Sequence, residues 1–394
     1  MKRLRYMLSL MILSSILLPG TALVFSDEAQ VLALKNKTVR FEDDNELTLF
    51  KESHATLDFH FLDVGQGDST LVVSDTGAAM LIDGGQPDHG KEIVRYLKNA
   101  GIEKLEWVVA THPDIDHIGG LVEVLKKVEV ENVLDSGREH NTKTYKKYRN
   151  IVKEKNINFF VAEEGEMLNT NLANRVKVLN SYSDNDVRND SSIVLHITYG
   201  DTAVLLTGDA TVVNEKEMMN KYDVEADIIK VAHHGSATST GDLFIQKVDP
   251  EIAIIPYDKS NAFGHPNVGV VNRLRNTGAD IYTTENSSHI IVSLDMENIY
   301  TSKKPWNGKG RSFPTPVPRV YMSDEKTNDL SKPININTAS KKELAKLPHV
   351  SPVIAEMVIE FREENGPFKT KEELILVSGI GEYSYNKIKK FITI

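Results

Sequence analysis

From residue 57 to about 298 the sequence is a succession of short apolar runs, each of strand length, separated by helical spacing or by glycine. LDFHFLDV, STLVVS and AMLIDGG come first, then GKEIVRYLKNAG has helical periodicity with Gly101 beyond its end. EWVVAT follows and delivers the chain directly into THPDIDHIGG, residues 111–120. NVLDSG, INFFVA, RVKVLNS, SIVLHITYG, TAVLLTGD, DIIKVAHH, EIAIIPYD, ADIYTTE and HIIVSLD continue the pattern, with helices between several of them. Interleaving of this kind predicts an α/β fold with two sheets inside and helices outside.

Several of these runs end in metal-ligand chemistry. His112, Asp114, Asp116 and His117 lie within six positions of one another after EWVVAT, and Gly119-Gly120 lets the backbone turn into the next helix. Asp209 ends TAVLLTGD, His233 and His234 end DIIKVAHH, and His265 follows EIAIIPYD in FGHP. Alone, THPDIDHIGG reads equally well as an aspartate-rich turn that caps a helix, and a lone His265 as an ordinary loop histidine. Polar ligands at several strand ends together predict a site along one sheet edge. Cysteine is absent, which excludes disulfides, thiolate ligands and a cysteine nucleophile, and leaves imidazole and carboxylate to hold a cation.

The ordered motifs FLDVGQGDS (61–69), LIDGG (81–85), THPDIDHIGG, NDSSIVL (189–195), LLTGD (205–209), KVAHHGS (230–236) and FGHP (263–266) resemble the metallo-β-lactamase superfamily. More narrowly they resemble the soluble domain of the ComEC competence proteins, over roughly residues 55–298. That resemblance implies an αββα sandwich, a site for two divalent metals, and phosphodiester hydrolysis, with DNA as the expected substrate. It implies that His112 and Asp114 hold one metal, that Asp116 and His117 hold the second, and that Asp209 bridges them. One of His233 and His234 completes the second site and the other touches substrate phosphate; the sequence does not say which. Asp116 or Asp209 would orient the nucleophilic hydroxide. His265 or the non-ligating histidine of the pair would hydrogen-bond the phosphate or protonate the leaving group. Asp83 is expected behind a ligand histidine, with Asp63, Gln66 and Asp68 near the site; DVGQGDS otherwise reads as a glycine-rich hairpin turn. A later histidine, usual for the first metal, has no clear counterpart. His196 lies mid-strand, and Asn189, Asp190 and Ser191 stand nearer the expected position. One or two divalent ions are therefore expected, manganese or zinc, with the carboxylate of Asp114 tilting the choice toward manganese.

The ends of the chain differ in kind. Residues 1–26 carry Lys2, Arg3 and Arg5, an apolar stretch from Met7 to Leu18, and small residues after Pro19-Gly20. They read as a signal peptide cut around 22–29, too short for the ~20 residues of a membrane span, with an uncleaved anchor as the alternative. Residues 27–54 form an N-terminal extension and 55–300 the hydrolase domain. Residues 301–333, with five prolines and few aliphatics, read as a semi-extended linker. Residues 334–394 return to helical periodicity. There LPHVSPVIAEMVIEFR and VSGIGEYSYNKIKKFI repeat one punctuation, and the segment resembles the helix–hairpin–helix DNA-binding domain of the ComEA competence receptors. Gly379, Ile380 and Gly381 in one hairpin, and Val350 and Ser351 in the other, would present backbone N–H groups to phosphate without reading bases. Lys387, Lys389 and Lys390 are candidate phosphate contacts. Where Gly-hydrophobic-Gly is usual, the first hairpin has His349-Val350-Ser351, a departure that predicts weaker DNA contact. A compact helical domain used for protein contacts is the plainer reading.

Charge agrees with a local role for DNA. The chain carries −10 overall, which disfavours attraction of nucleic acid to the protein as a whole. Residues 331–394 hold ten Lys/Arg against eight Asp/Glu, while residues 27–330 carry −15. The expectation is a secreted, metal-dependent nuclease whose tail holds DNA and whose mature chain has no integral membrane domain. Hydrolysis of a cell-wall phosphoester such as phosphocholine or teichoic acid, and a non-catalytic DNA-binding surface protein, are the competing readings.

Overall fold

The computed structural model describes residues 39–41, 56–184, 187–296, 298–311, 333–348, 350, 352–377, 380, 385 and 387–394. The signal-peptide reading and most of the N-terminal extension fall outside these residues. In chain order the first strands are β1 (Val39–Phe41), β2 (Leu57–Phe61), β3 (Thr70–Ser74), β4 (Ala79–Ile82), β5 (Lys104–Ala110), β6 (Glu129–Asp135) and β7 (Asn158–Val161). A second set comprises β8 (Arg175–Asn180), β9 (Val194–Tyr199), β10 (Thr202–Leu206), β11 (Ile228–Lys230), β12 (Ile252–Ile255) and β13 (Asp280–Thr283). The chain then returns to the first set with β14 (Ile290–Leu294) and β15 (Ile299–Thr301). The first sheet has the order β1-β15-β14-β2-β3-β4-β5-β6-β7 and the second the order β13-β12-β11-β10-β9-β8.

The apolar runs are continuous, not alternating, because both faces of each sheet are buried. Val72, Met80, Ile82, Trp107 and Val109 of the first sheet meet Val178, Leu195, Val204, Leu206 and Ile254 of the second. Their strand neighbours Leu71, Leu81 and Val108 face the other way, onto Ile93, Leu97, Leu121, Leu125 and Tyr148 of the outer helices. Likewise Leu205, Ile229 and Ala253 turn outward onto Phe244, Ile245, Val270 and Leu274. The result is four layers, helix–sheet–sheet–helix, and parallel pairings β4·β5, β10·β11 and β11·β12 bring the ends of those strands to one edge.

Two departures from the sequence reading have simple causes. Strands β1 and β15 pair in parallel over three residues, too few for a periodicity to register. Residues 301–311, read as the start of a linker, pack onto the second sheet instead. Trp306 joins its outer core, and the Arg311 amide donates to the Pro266 carbonyl at 2.9 Å. One aromatic anchor outweighs a proline-rich composition.

The C-terminal residues have a core of their own, including Ile336, Leu344, Leu347, Val358, Phe368, Leu374, Ile388 and Ile392. A capping box at Ser340 and Glu343 starts helix Lys341–Leu344, helix Pro352–Asn365 follows, and β16 (Ile334–Asn335) pairs in parallel with β17 (Ile392–Thr393). Val350 and Ile380 turn their side chains into this core, so only their backbones remain to meet a ligand. Gly379, Gly381 and Ser351 lie outside the described residues, and Lys387, Lys389 and Lys390 are exposed. Among the described residues, no helix is long and apolar enough to cross a membrane.

Candidate metal centre

The strand ends set the site. After β5, Thr111 and His112 lead to a short helix, Ile115–Ile118, that carries Asp116 and His117. Asp114 stands at its N-cap position but its side chain caps nothing, so helix capping does not explain the aspartates. After β4, Asp83 adopts φ 57°, which turns its carboxylate onto the next strand end. There it accepts from Thr111 N (2.9 Å), Thr111 Oγ1 (2.6 Å) and His117 Nδ1 (2.7 Å). After β10, Gly208 at φ 50° brings Asp209 inward. After β11, His233 and His234 both adopt left-handed backbone angles, a sparsely populated conformation for residues with a Cβ.

Hydrogen bonds on the far nitrogens decide what each imidazole offers in its neutral form, the form that can ligate. His117 donates through Nδ1 to Asp83, which leaves the Nε2 lone pair facing inward. The single hydroxyl proton of Thr111 goes to Asp83 at 2.6 Å, so Thr111 Oγ1 accepts from His112 Nδ1 at 3.2 Å and His112 Nε2 is likewise a lone pair. His234 Nδ1 is 3.2 Å from the Pro256 carbonyl, which can only accept, so its Nε2 is also a lone pair. His233 is the reverse. Its Nδ1 lies 3.3 Å from the Asn189 amide nitrogen, a donor, and 3.2 Å from Thr238 Oγ1, which can also donate, so Nδ1 accepts and its Nε2 carries the hydrogen. His234 is thus equipped to ligate and His233 to donate.

His112 Nε2, His117 Nε2, His234 Nε2 and Asp209 Oδ1 are all buried without a hydrogen-bond partner among the described residues. Buried polar atoms in folded proteins are rarely left so. His117 Nε2 stands 3.4 Å from Asp209 Oδ1, and His234 Nε2 stands 3.5 Å from Asp116 Oδ2 and 3.7 Å from Asp209 Oδ2. Ligand atoms around an ion bound at ~2.1 Å stand ~3.0–3.5 Å apart, so the spacing suits a shared cation. His112, His117 and Asp209 form one such group, and Asp116, His117 and His234 another. The residues present fit a divalent metal.

The electrostatics agree. Burial disfavours charge on His117, yet Asp209 and Asp83 raise its proton affinity well above the usual imidazole range. Against the same burial, Asp209 and Asp68 push His234 up to about 10. Burial would raise Asp209, but His117, His234 and His233 hold it well below the usual carboxylate range. The carboxylates that hold these protons would also attract a metal cation, which must displace the protons to bind.

Behind His234 stands Asp68, its Oδ1 3.3 Å from His234 Nδ1. Burial works against its charge, but an ion pair with Lys230, helped by His234, keeps it ionised with a pKa of about 2. Lys230 also donates to the carbonyls of Gly208 (2.8 Å) and Val231 (3.3 Å), tying together the two strand ends that carry Asp209 and His234. The sequence reading missed Lys230, although a lysine inside the apolar run DIIKVA was a legible signal.

Other expected residues fall elsewhere. The carboxylate of Asp114 does not join the cluster. Arg188 takes it at 2.6 Å (Nε to Oδ1) and 3.4 Å (Nη2 to Oδ2), and despite burial holds it far below its ordinary pKa. With Asp114 outside the donor set, its carboxylate no longer tilts the site toward manganese over zinc. Asp63 is not behind a ligand: its amide donates to His289 Nδ1 at 2.9 Å, and it lines a separate cavity of about 370 Å³ with Glu92, Arg95, Tyr96 and His289. None of the candidates for the missing histidine supplies a ligand. Asn189 bonds His233, Asp190 accepts from Thr211, Ser191 engages Ser183, and His196 contacts the Glu225 carbonyl at 3.0 Å. His265 does sit beside the centre, its ring centroid 5.4 Å from that of His233, with Nδ1 3.4 Å from Gln66 Nε2. Burial, with His233 and His234 nearby, lowers its pKa to about 2, which disfavours the charged ring there.

This edge of strand-end histidines and aspartates between two sheets has its counterpart in a known family. The family model described as the metallo-beta-lactamase superfamily matches residues 62–258, half of the chain, and the chain belongs to that superfamily; the model for the helix-hairpin-helix motif matches residues 330–393. The chain is similar to ComE operon protein 3 of Bacillus subtilis, 29% identical over 248 residues, which cover 58% of this chain and 32% of that one. Recombination protein 2 of Haemophilus influenzae is 29% identical over 274 residues, covering 66% of this chain and 32% of its own. The tail is 52% identical over 61 residues to ComE operon protein 1 of Bacillus subtilis, covering 16% of this chain and 30% of that protein. The chain thus spans about a third of the length of these relatives.

Proposed function

We propose that this protein is a metal-dependent phosphodiesterase that cuts DNA outside the cytoplasmic membrane, while its C-terminal residues hold DNA by the phosphate backbone. The observation that carries this reading is the set of four buried, unpartnered donor atoms on His112, His117, His234 and Asp209. A divalent ion held there would make a bound water nucleophilic and take up charge on a phosphate oxygen.

The chain's own side chains supply the rest. Asp83 and Asp68 fix the rings of His117 and His234, so their Nε2 atoms are aimed before any ligand arrives. Asp116, with a quarter of its side chain exposed, lies on the open side and can accept a hydrogen bond from the attacking water. His233 is similarly exposed; its Nε2–H is a donor for a phosphate oxygen. His265, neutral beside it, holds the His233 edge of the pocket. The mildly positive tail raises the local concentration of a polyanion that the acidic large domain would repel. The match of the tail to the helix-hairpin-helix motif favours DNA over another phosphoester, and the N-terminal sequence favours export.

The test incubates the full chain with single- and double-stranded DNA, with Mn²⁺, Zn²⁺ or EDTA, beside the Asp209→Ala variant. Cleavage that EDTA abolishes and that Asp209→Ala lacks is expected, with DNA retention unchanged in the variant. Binding without cleavage would refute the catalytic part. Turnover of a small phosphodiester with DNA left intact would refute the substrate.

A further inference from the structure

Beside the centre stands the ion pair between Asp114 and Arg188. His117 belongs to both groups that gather at the inward-facing nitrogens, one with His112 and Asp209, the other with Asp116 and His234. An imidazole nitrogen has one lone pair and cannot bridge two ions. The other nitrogen of His117 is committed to Asp83 at 2.7 Å, so only one of these two groups can hold an ion at a time; a further group, Asp68, Asp209 and His234, lacks His117, but its Asp68 is already paired with Lys230. A second ion would have to be assembled from His112, a shared oxygen of Asp209 and a further donor. Asp114, two residues beyond His112, stands closest in sequence for that part. Both of its oxygens face Arg188, which arrives from the turn Arg188–Ser191. The pair is sheltered, with side-chain exposures of 10% for Asp114 and 14% for Arg188, so water does little to loosen it. The same turn places Asn189 on His233, which fixes it against the centre. A guanidinium is always charged, holds a carboxylate at two points, and repels a dication brought alongside.

We propose that Arg188 is a built-in cation that takes the place of a second metal ion: by holding Asp114 it limits the centre to one divalent ion. The inference rests on the reading of the centre as a metal site and narrows it. Arg188 is a positioning residue here, acting through Asp114.

Metal stoichiometry tests this without recourse to activity. The full chain is stripped with chelator, titrated with Mn²⁺ and with Zn²⁺ alone, and the bound metal is counted by equilibrium dialysis with elemental analysis. The Mn²⁺ form is also examined by electron paramagnetic resonance, which separates an isolated ion from an exchange-coupled pair. The expected result is one ion per wild-type chain, with the spectrum of an isolated ion. Arg188→Gln, which releases Asp114, is expected to gain a second, weaker site, and Arg188→Gln combined with Asp114→Asn to lose it again. Asp114→Asn alone keeps one ion at wild-type affinity. Two ions in the wild type, a coupled spectrum, or a tenfold loss of affinity in Asp114→Asn would overturn the proposal. So would a folded Arg188→Gln protein that still takes only one. If Arg188→Gln does not fold, the wild-type count and the Asp114→Asn affinity decide. No bound metal in any form would instead refute the reading of the centre itself.

Discussion

Asp83→Asn isolates the contribution of a single proton position to metal binding. Asn tolerates the positive φ of 57° at this site, so the backbone is spared. The Thr111 amide, 2.9 Å from Oδ1, is a fixed donor and holds the new side chain's oxygen at that position. The new NH₂ group must then occupy the place of Oδ2, facing Thr111 Oγ1 and His117 Nδ1, formerly at 2.6 and 2.7 Å. Thr111 can rotate its hydroxyl and accept. His117 must surrender the Nδ1 proton and carry it on Nε2, where the ion needs a lone pair. Disturbing such a partner typically weakens metal affinity 10–100-fold, about 1.4–2.7 kcal/mol. The metal-free fold, with one hydrogen bond rearranged, should lose only about 0.5–1.5 kcal/mol. Isothermal titration of stripped wild type and variant with Mn²⁺ and Zn²⁺ gives the first quantity, and urea unfolding in EDTA gives the second. An Asp83→Asn protein that binds either metal within twofold of wild type would refute the reasoning, because His117 would then not depend on Asp83 for its tautomer.

Four further outcomes are expected. His117 and His234 have raised proton affinities, so both are protonated near pH 7 before metal binds and must release those protons to ligate. Metal affinity should therefore rise with pH up to about 10, and calorimetry in buffers of different ionisation enthalpy should show about two protons released per ion; pH-independent affinity would contradict this. A Cβ at Gly120 would lie 2.0 Å from the Gly84 carbonyl, so Gly120→Ala should cost about 1–3 kcal/mol or more in urea unfolding. Gly101→Ala has open space and should cost only the left-handed backbone term, about 1–2 kcal/mol. Deleting residues 331–394 should weaken binding to long DNA more than cleavage of a small chromogenic phosphodiester; equal losses on both would argue against tethering.

The identity of the imidazoles' partners shows where sequence reading stops. THPDIDHIGG, TGD and HHGS announced a cation site because such residues at strand ends have few other uses together. Within HHGS, nothing local separates His233 from His234. The separation comes from Asn189 on one ring and the Pro256 carbonyl on the other. Asp114 fits a ligand by spacing from His112, and only Arg188, 74 positions away, shows that its oxygens are taken. Asp63 and Asp68 look alike in DVGQGDS, yet the carboxylate of one accepts from the Gly65 amide in its own turn and that of the other lies between Lys230 and His234.

The sequence by itself determined the layers of this protein and the strand ends at which polar ligands gather. A strand buried on both faces must be apolar along its whole length, and that pattern survives in one dimension. Which lone pairs face a cation, and which carboxylate is neutralised by an arginine, only the tertiary structure decided. Those depend on hydrogen bonds between residues brought together from distant parts of the chain, and a hydrogen bond is set by ångströms and angles that no local spacing encodes.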